Sequence, residues 1–147
     1  MSYIGEIIMT IVDIAERKSI VRAIFFLALA AALVLLLMVT FAGGVDFLNG
    51  LWAGLMIGAS LNLLPFARWV KARNPVALLL DDESTREHRH IATTRGFWAA
   101  VVATLAMTIV SLYVPALTAY DAVRVIGTAG MAAALIAFAA LELRASR

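Results

Sequence analysis

The sequence predicts an all-α integral membrane protein, a bundle of four transmembrane helices preceded by an amphipathic N-terminal helix. Apolar residues make up 63% of the 147 residues, and the mean hydropathy is +0.95. A water-soluble domain of this size cannot bury so much apolar side chain. These residues form four runs of roughly 20, the length at which a helix crosses a hydrocarbon layer about 30 Å thick. We therefore treat residues 1–147 as a single membrane domain.

The four spans are predicted at about residues 23–42, 47–66, 96–114 and 123–143. Pro65 and Pro115 fall at helix ends, where proline stops a helix without kinking it. A signal peptide is the competing interpretation of the first span. It is disfavoured because the apolar core begins only at Ala23 and is too long for such a peptide.

Residues 1–19 form the predicted amphipathic N-terminal helix. One face carries isoleucines at helical spacing, namely Ile4, Ile7, Ile8, Ile11 and Ile14. A helix lying in the membrane interface has this pattern, and a plain extension of the first span fits equally well. A helix that binds a partner protein is a third interpretation.

Lysine and arginine predict the orientation of the chain. Eleven of the 12 basic residues lie before the first span, between the second and third spans, or after the fourth, and only Arg124 lies on the opposite side. The positive-inside tendency then places both termini and the loop at residues 67–95 in the cytoplasm. The predicted location is a bacterial inner (plasma) membrane.

Composition also excludes several functions. Cysteine is absent, which excludes disulfides, thiolate metal sites and cysteine nucleophiles. The net charge of +2 comes from basic residues beside apolar spans, so the expected neighbour is an anionic inner leaflet and not nucleic acid. No ionisable residue lies near the middle of a span, which argues against a proton-coupled antiporter and a membrane haem protein. We predict no cofactor.

The second span carries glycines every four residues, at Gly50, Gly54 and Gly58, and Asn62 continues the row. Such a row lets another helix backbone approach closely. The packing partner could be the small residues of the fourth span or a second copy of the chain. The third span carries a stripe of hydroxyls, which usually bond to carbonyls of their own helix: Thr104, Thr108 and Ser111.

The cytoplasmic loop is the first candidate for a functional surface. Its start should anchor to lipid headgroups through Arg68, Trp69, Lys71 and Arg73. Ser84 and Glu87 fit a capping box, so a helix should begin there and continue into the third span. We predict that this charged segment contacts another protein, through Asp82, Glu83, Arg86, Glu87 and His90.

A metal site can also be constructed here, because Glu83, Glu87 and His90 would share one helix face. No other span supplies a matching carboxylate or histidine, and His88 would point away from His90. We therefore predict neither a metal site nor a catalytic residue.

The segment from Val76 to Trp98 resembles a signature of small uncharacterised bacterial four-helix inner-membrane proteins. The match rests on Asp82-Glu83-Ser84-Thr85-Arg86 and on Gly96-Phe97-Trp98, which opens the third span. Many members have Asp-Glu-Arg-Thr where this chain has Asp-Glu-Ser-Thr. The resemblance implies the four-helix layout but no activity, because none is assigned to that family.

The predicted function is a non-enzymatic accessory, regulatory or assembly role, carried by the loop and the glycine row. The predicted state is a homo-oligomer or a complex with a membrane-protein partner. The alternative is an oligomeric pore or small-solute transporter subunit, with its path along the Gly50 face or the Thr104 stripe. A third interpretation is a membrane-embedded enzyme acting on a lipid through Glu87, His88 or His90.

Overall fold

The computed structural model describes residues 2–43, 46–63 and 83–145, which form four helices and the turn between the last two. The helices are α1 (Ser2–Phe41), α2 (Asp46–Leu63), α3 (Glu83–Tyr113) and α4 (Ala119–Ala145). Side chains are described from Ser19 onward in α1 and from Thr85 onward in α3. The predicted all-α class is confirmed.

Three helical segments are long and apolar enough to cross a membrane: Ser19–Phe41, Thr85–Tyr113 and Ala119–Ala145. These segments indicate a membrane-embedded protein. The described part of α2 has 18 residues, and it is not among the three. Its sequence includes Asp46 and two asparagines, which lower its hydropathy.

Helix α1 is continuous over 40 residues, a length of about 60 Å, or twice the hydrocarbon thickness. The backbone does not break near residue 19, as a separate interfacial helix would require, so the extension is favoured. The amphipathic character of residues 1–19 stays a prediction, because the side chains described begin at Ser19. The helix ends at Phe41, and Gly43 follows with a φ of 112°, the left-handed conformation in which glycine commonly terminates helices.

Helix α4 begins earlier than the span predicted at residue 123, because Thr118 and Asp121 cap it. The Thr118 hydroxyl accepts a bond from the Asp121 backbone N–H at 3.1 Å. In return, the Asp121 carboxylate accepts bonds from the Thr118 hydroxyl at 2.6 Å and from its backbone N–H at 3.2 Å. This reciprocal capping satisfies donors that a helix start leaves open.

Helix α4 lies at the centre of the described fold. It packs along α3 on one side and α1 on the other, and α2 makes a smaller contact with α1 and α4. The core includes the rings of Phe26 and Phe138, packed edge to face with centroids 5.0 Å apart. Between helices in lipid there is little water to release, so the hydrophobic effect contributes little. Close van der Waals packing of this kind holds the helices together instead.

The α3–α4 contact is the closest between helices. A Cβ added to Gly96 would lie 2.7 Å from the Gly130 carbonyl oxygen and 2.8 Å from Ala134 Cβ. The two backbones therefore touch, and only glycine fits at Gly96. The small residues of α4 are used here against α3, and not against the glycine row of α2 as one interpretation of the sequence had it.

Candidate functional site

The glycine row of α2 is open in the described structure. A Cβ added to Gly50, Gly54 or Gly58 would meet no described atom within 4 Å. Helix α2 instead contacts α4 through its other side, where Met56 Cε lies 3.3 Å from the position of a Cβ on Gly127. One interpretation of the sequence paired the glycine row with α4, whereas among the described residues the opposite side of α2 makes the α2–α4 contact.

We call the surface formed by Gly50, Gly54 and Gly58 the glycine face. Large apolar side chains beside it are exposed as well: Phe47, Leu51, Ile57 and Leu61. At its end, the Asn62 amide donates to the Gly58 carbonyl oxygen at 2.8 Å, so it makes its bond within its own helix. The result is a smooth apolar strip.

Three of the predicted interaction residues lie on the exposed side of the α3 start: Arg86, Glu87 and His90. Asp82 lies outside the described residues, as do the predicted headgroup residues Arg68, Trp69, Lys71 and Arg73, and the Glu83 side chain is not described. Among the described residues, no three side chains of the metal-binding types come together. Partner contact through this surface stays a prediction.

A buried carboxylate, which the sequence did not single out, lies at the end of α4 nearest this surface. Glu142 is 3% exposed, and its Oε2 lies 2.5 Å from Arg22 Nη2 and 2.9 Å from the Ser19 hydroxyl, which donates to it. His88 Nδ1 lies 3.4 Å from the other carboxylate oxygen. We call these four residues the Glu142 cluster; it joins α1, α3 and α4.

The geometry of the Glu142 cluster indicates a structural role. Each carboxylate oxygen has a partner, and the Arg22 guanidinium also lies 5.3 Å from the Phe138 ring centroid. Burying a carboxylate costs several kcal/mol unless partners of this kind compensate it. One signal in the sequence could have revealed it, because Glu142 continues the buried row of Ala134 and Phe138 at four-residue spacing.

The opposite end of α4 holds a buried arginine. Arg124 is 3% exposed and lies among three rings, with centroids at 5.4 Å for Tyr120, 5.5 Å for Trp52 and 6.0 Å for Phe41. Its Nη2 donates to the Thr40 hydroxyl oxygen. Each cation–π contact contributes about 0.5–2 kcal/mol, depending on desolvation. We call Arg124, Thr40 and the three rings the Arg124 cage.

Trp52 also joins the cage to α4 by a second contact. Its indole N–H donates to the Thr128 hydroxyl at 2.9 Å, and Thr128 is buried. This bond and the Met56–Gly127 contact attach α2 to α4.

The hydroxyl stripe on α3 is exposed, and each hydroxyl bonds within its own helix. Thr104 donates to the Ala100 carbonyl and Thr108 to the Thr104 carbonyl, both at 2.8 Å, and Ser111 donates to the Thr108 carbonyl at 2.7 Å. The donors are therefore already used, which is the structural role that such stripes usually have.

Comparison of the chain with protein-family models, with curated proteins and with solved structures gives no match. The resemblance noted at residues 76–98 therefore stays a prediction.

Proposed function

We propose that this chain is a non-enzymatic assembly protein of the bacterial inner membrane, which crosses the membrane four times and associates through the glycine face of α2. A second copy of the chain is the partner we propose for that face. The charged surface of Arg86, Glu87 and His90 then faces the cytoplasm, where it is free to contact an accessory protein.

The observation that carries this proposal is the contrast between two sets of glycines. Gly96 and Gly130 lie in backbone contact between α3 and α4, whereas the glycine face of α2 meets nothing in the described chain. Glycine is costly in a helix, and small residues in membrane helices promote close association. Three glycines in register on an open, apolar face therefore favour a helix from outside the chain.

Four crossings are supported by the contacts between helices. The Glu142 cluster joins the Ser19 end of α1 to the His88 end of α3, and the Arg124 cage joins the opposite end of α1 to Trp52 of α2. Helix α2 starts beside that cage, and its 18 residues give a length of about 27 Å. Its buried Ala59 and Leu63 lie toward the other end.

The experiment compares two substitutions that fill exposed helix faces with leucine. Gly54→Leu fills the glycine face, and the matched control Ala106→Leu enlarges an exposed position on α3. The labelled variants are reconstituted in lipid vesicles, and subunits are counted by single-molecule photobleaching over a range of dilutions.

We expect the wild type and Ala106→Leu to associate, and Gly54→Leu to require at least about tenfold more protein, a loss of about 1.4 kcal/mol. Equal association of all three proteins would assign self-association to another face. A wild type that remains monomeric throughout would refute the second copy as the partner.

A further inference from the structure

Arg124 differs from Arg22, the other arginine that joins two helices, in having no anion among the described residues. Arg22 faces Glu142 at 2.5 Å, but no carboxylate of the described residues lies within ion-pair distance of Arg124. The Nε of Arg124 is buried without a hydrogen-bond acceptor among the described residues, as is that of Arg22. The cage thus holds a full positive charge whose hydrogen-bonding capacity is only partly used.

The Arg124 cage does not neutralise that charge. Thr40 supplies one neutral acceptor, and its own hydroxyl hydrogen is directed to carbonyls of α1 at 2.7 and 2.8 Å. Ring faces attract a cation but carry no negative charge. An arginine at the edge of a membrane interior is costly without an anion, so the geometry calls for one.

The position of the cage indicates where that anion comes from. Arg124 lies in the second turn of α4, directly after the turn at residues 114–118, so it is close to the membrane surface. Two of the rings, Phe41 and Tyr120, are about half exposed and border the guanidinium on the lipid side. A guanidinium nitrogen donates to phosphate oxygens, and phosphodiesters are the anions present at this depth.

We propose that Arg124 is a phospholipid-binding residue that holds the phosphodiester of one lipid at the end of the bundle formed by α1, α2 and α4. The three rings and Thr40 orient the guanidinium. The proposal is independent of self-association, because Trp52 and Arg124 lie away from the glycine face.

The test uses the purified full chain in mild detergent and native mass spectrometry. The ligands are phosphatidylglycerol, diacylglycerol with the same acyl chains, and inorganic phosphate. The variants are Arg124→Gln, which removes the charge, Arg124→Lys, which keeps the charge but loses the planar fork, and the control Arg144→Gln, which removes an exposed charge from the same helix.

We expect one phosphatidylglycerol to stay bound to the wild type and to Arg144→Gln, with occupancy reduced at least about tenfold in Arg124→Gln and less in Arg124→Lys. Equal occupancy in Arg124→Gln would overturn the proposal. Equal retention of diacylglycerol would overturn it too, because the acyl chains alone would then explain binding.

Thermal unfolding of the wild type tests the proposal even if Arg124→Gln does not fold. Phosphatidylglycerol should raise the unfolding temperature, and neither diacylglycerol nor inorganic phosphate should do so at the same concentration. The same rise with inorganic phosphate would assign the site to free phosphate and refute a lipid. No rise with phosphatidylglycerol would refute both.

Discussion

Glu142 receives its contacts from residues far away in the chain. Ser19 and Arg22 come from α1 and His88 from α3, so a single carboxylate links three helices. The contact with Arg22 combines a charge pair with a hydrogen bond, which is the stronger type. Removing one partner of such a pair costs more than the pair itself contributes, because the other charge is left behind.

We expect Glu142→Gln to destabilise the fold by about 1–3 kcal/mol, less than the cost of breaking a fully buried ion pair, because the Arg22 side chain is 35% exposed. The amide can still accept a hydrogen bond but cannot balance the charge. Loss of helical circular dichroism during titration with a denaturing detergent measures it.

The control for this prediction is the double variant Arg22→Met with Glu142→Gln. Without the arginine no unbalanced charge remains, so this variant should be more stable than Glu142→Gln alone. A single variant as stable as the wild type would mean that the ion pair contributes nothing.

The hydroxyl of Thr128 should matter more than that of Thr108. Thr128→Val removes the acceptor of the Trp52 indole, for which we expect a loss of about 0.5–1.5 kcal/mol. Thr108→Val removes a bond within one helix and should change stability little. The emission maximum of Trp52, read in a background with Trp69→Phe and Trp98→Phe, should change only in Thr128→Val. Identical spectra would contradict the Trp52–Thr128 contact.

At the scale of elements, the four helices are not held equally. Helix α4 is buried on two sides and α3 touches it through backbone, whereas α2 has only two fully buried residues, Ala59 and Leu63. Most of the α2 surface is exposed. The second span is therefore the element whose position depends most on what surrounds the chain.

Substituting alanine for Gly96 or for Gly54 distinguishes the closely packed helix α3 from the exposed face of α2. Gly96→Ala places a methyl group against the Gly130 carbonyl, so α3 and α4 must move apart, at about 1–3 kcal/mol. Gly54→Ala meets no described atom, and because alanine favours a helix more than glycine does, it should stabilise the dilute protein in detergent by up to about 1 kcal/mol. A larger loss in Gly54→Ala than in Gly96→Ala would contradict the packing described.

The sequence predicted the helices better than their ends and their faces. Hydrophobic length predicted four spans, and three of the described helices are long and apolar enough to cross a membrane. The start of α4 was missed because Thr118 and Asp121 are polar and were assigned to a loop, although together they form a capping box. The face of α2 could not be chosen, because both sides of that helix carry small or apolar residues.

For the molecule as a whole, the two buried charged residues were not predicted from the sequence. Arg124 was noted only as an exception in the charge count, and Glu142 lay inside the fourth span without attracting a role. Apart from Tyr120, their partners lie on other helices and at least 54 residues away, so spacing within the fourth span indicates at most a buried position for Glu142 and none of these partners. The charged surface at the start of α3 could be predicted because its residues are close together in the sequence.

The arrangement of the chain across the membrane can be tested with single cysteines, since the natural sequence has none. We expect Ala42→Cys and Ala116→Cys to react with a maleimide that cannot cross the membrane when it is added outside intact cells. Glu87→Cys and Arg144→Cys should react only after permeabilisation. This pattern follows from four crossings with cytoplasmic termini. Labelling of Glu87→Cys on the same side as Ala42→Cys would contradict a crossing by α2.

The Arg124 cage and the Glu142 cluster also fix a hydrophobic length. The two residues lie 18 positions apart on α4, about 27 Å along the axis, close to the thickness of a bilayer interior. Both side chains are held by contacts with other helices, so neither can turn toward or away from the membrane surface when the membrane is thicker or thinner. Hydrophobic mismatch costs fractions of a kcal/mol per Å. We therefore expect the protein to accumulate in membranes whose hydrocarbon thickness is close to this distance of about 27 Å.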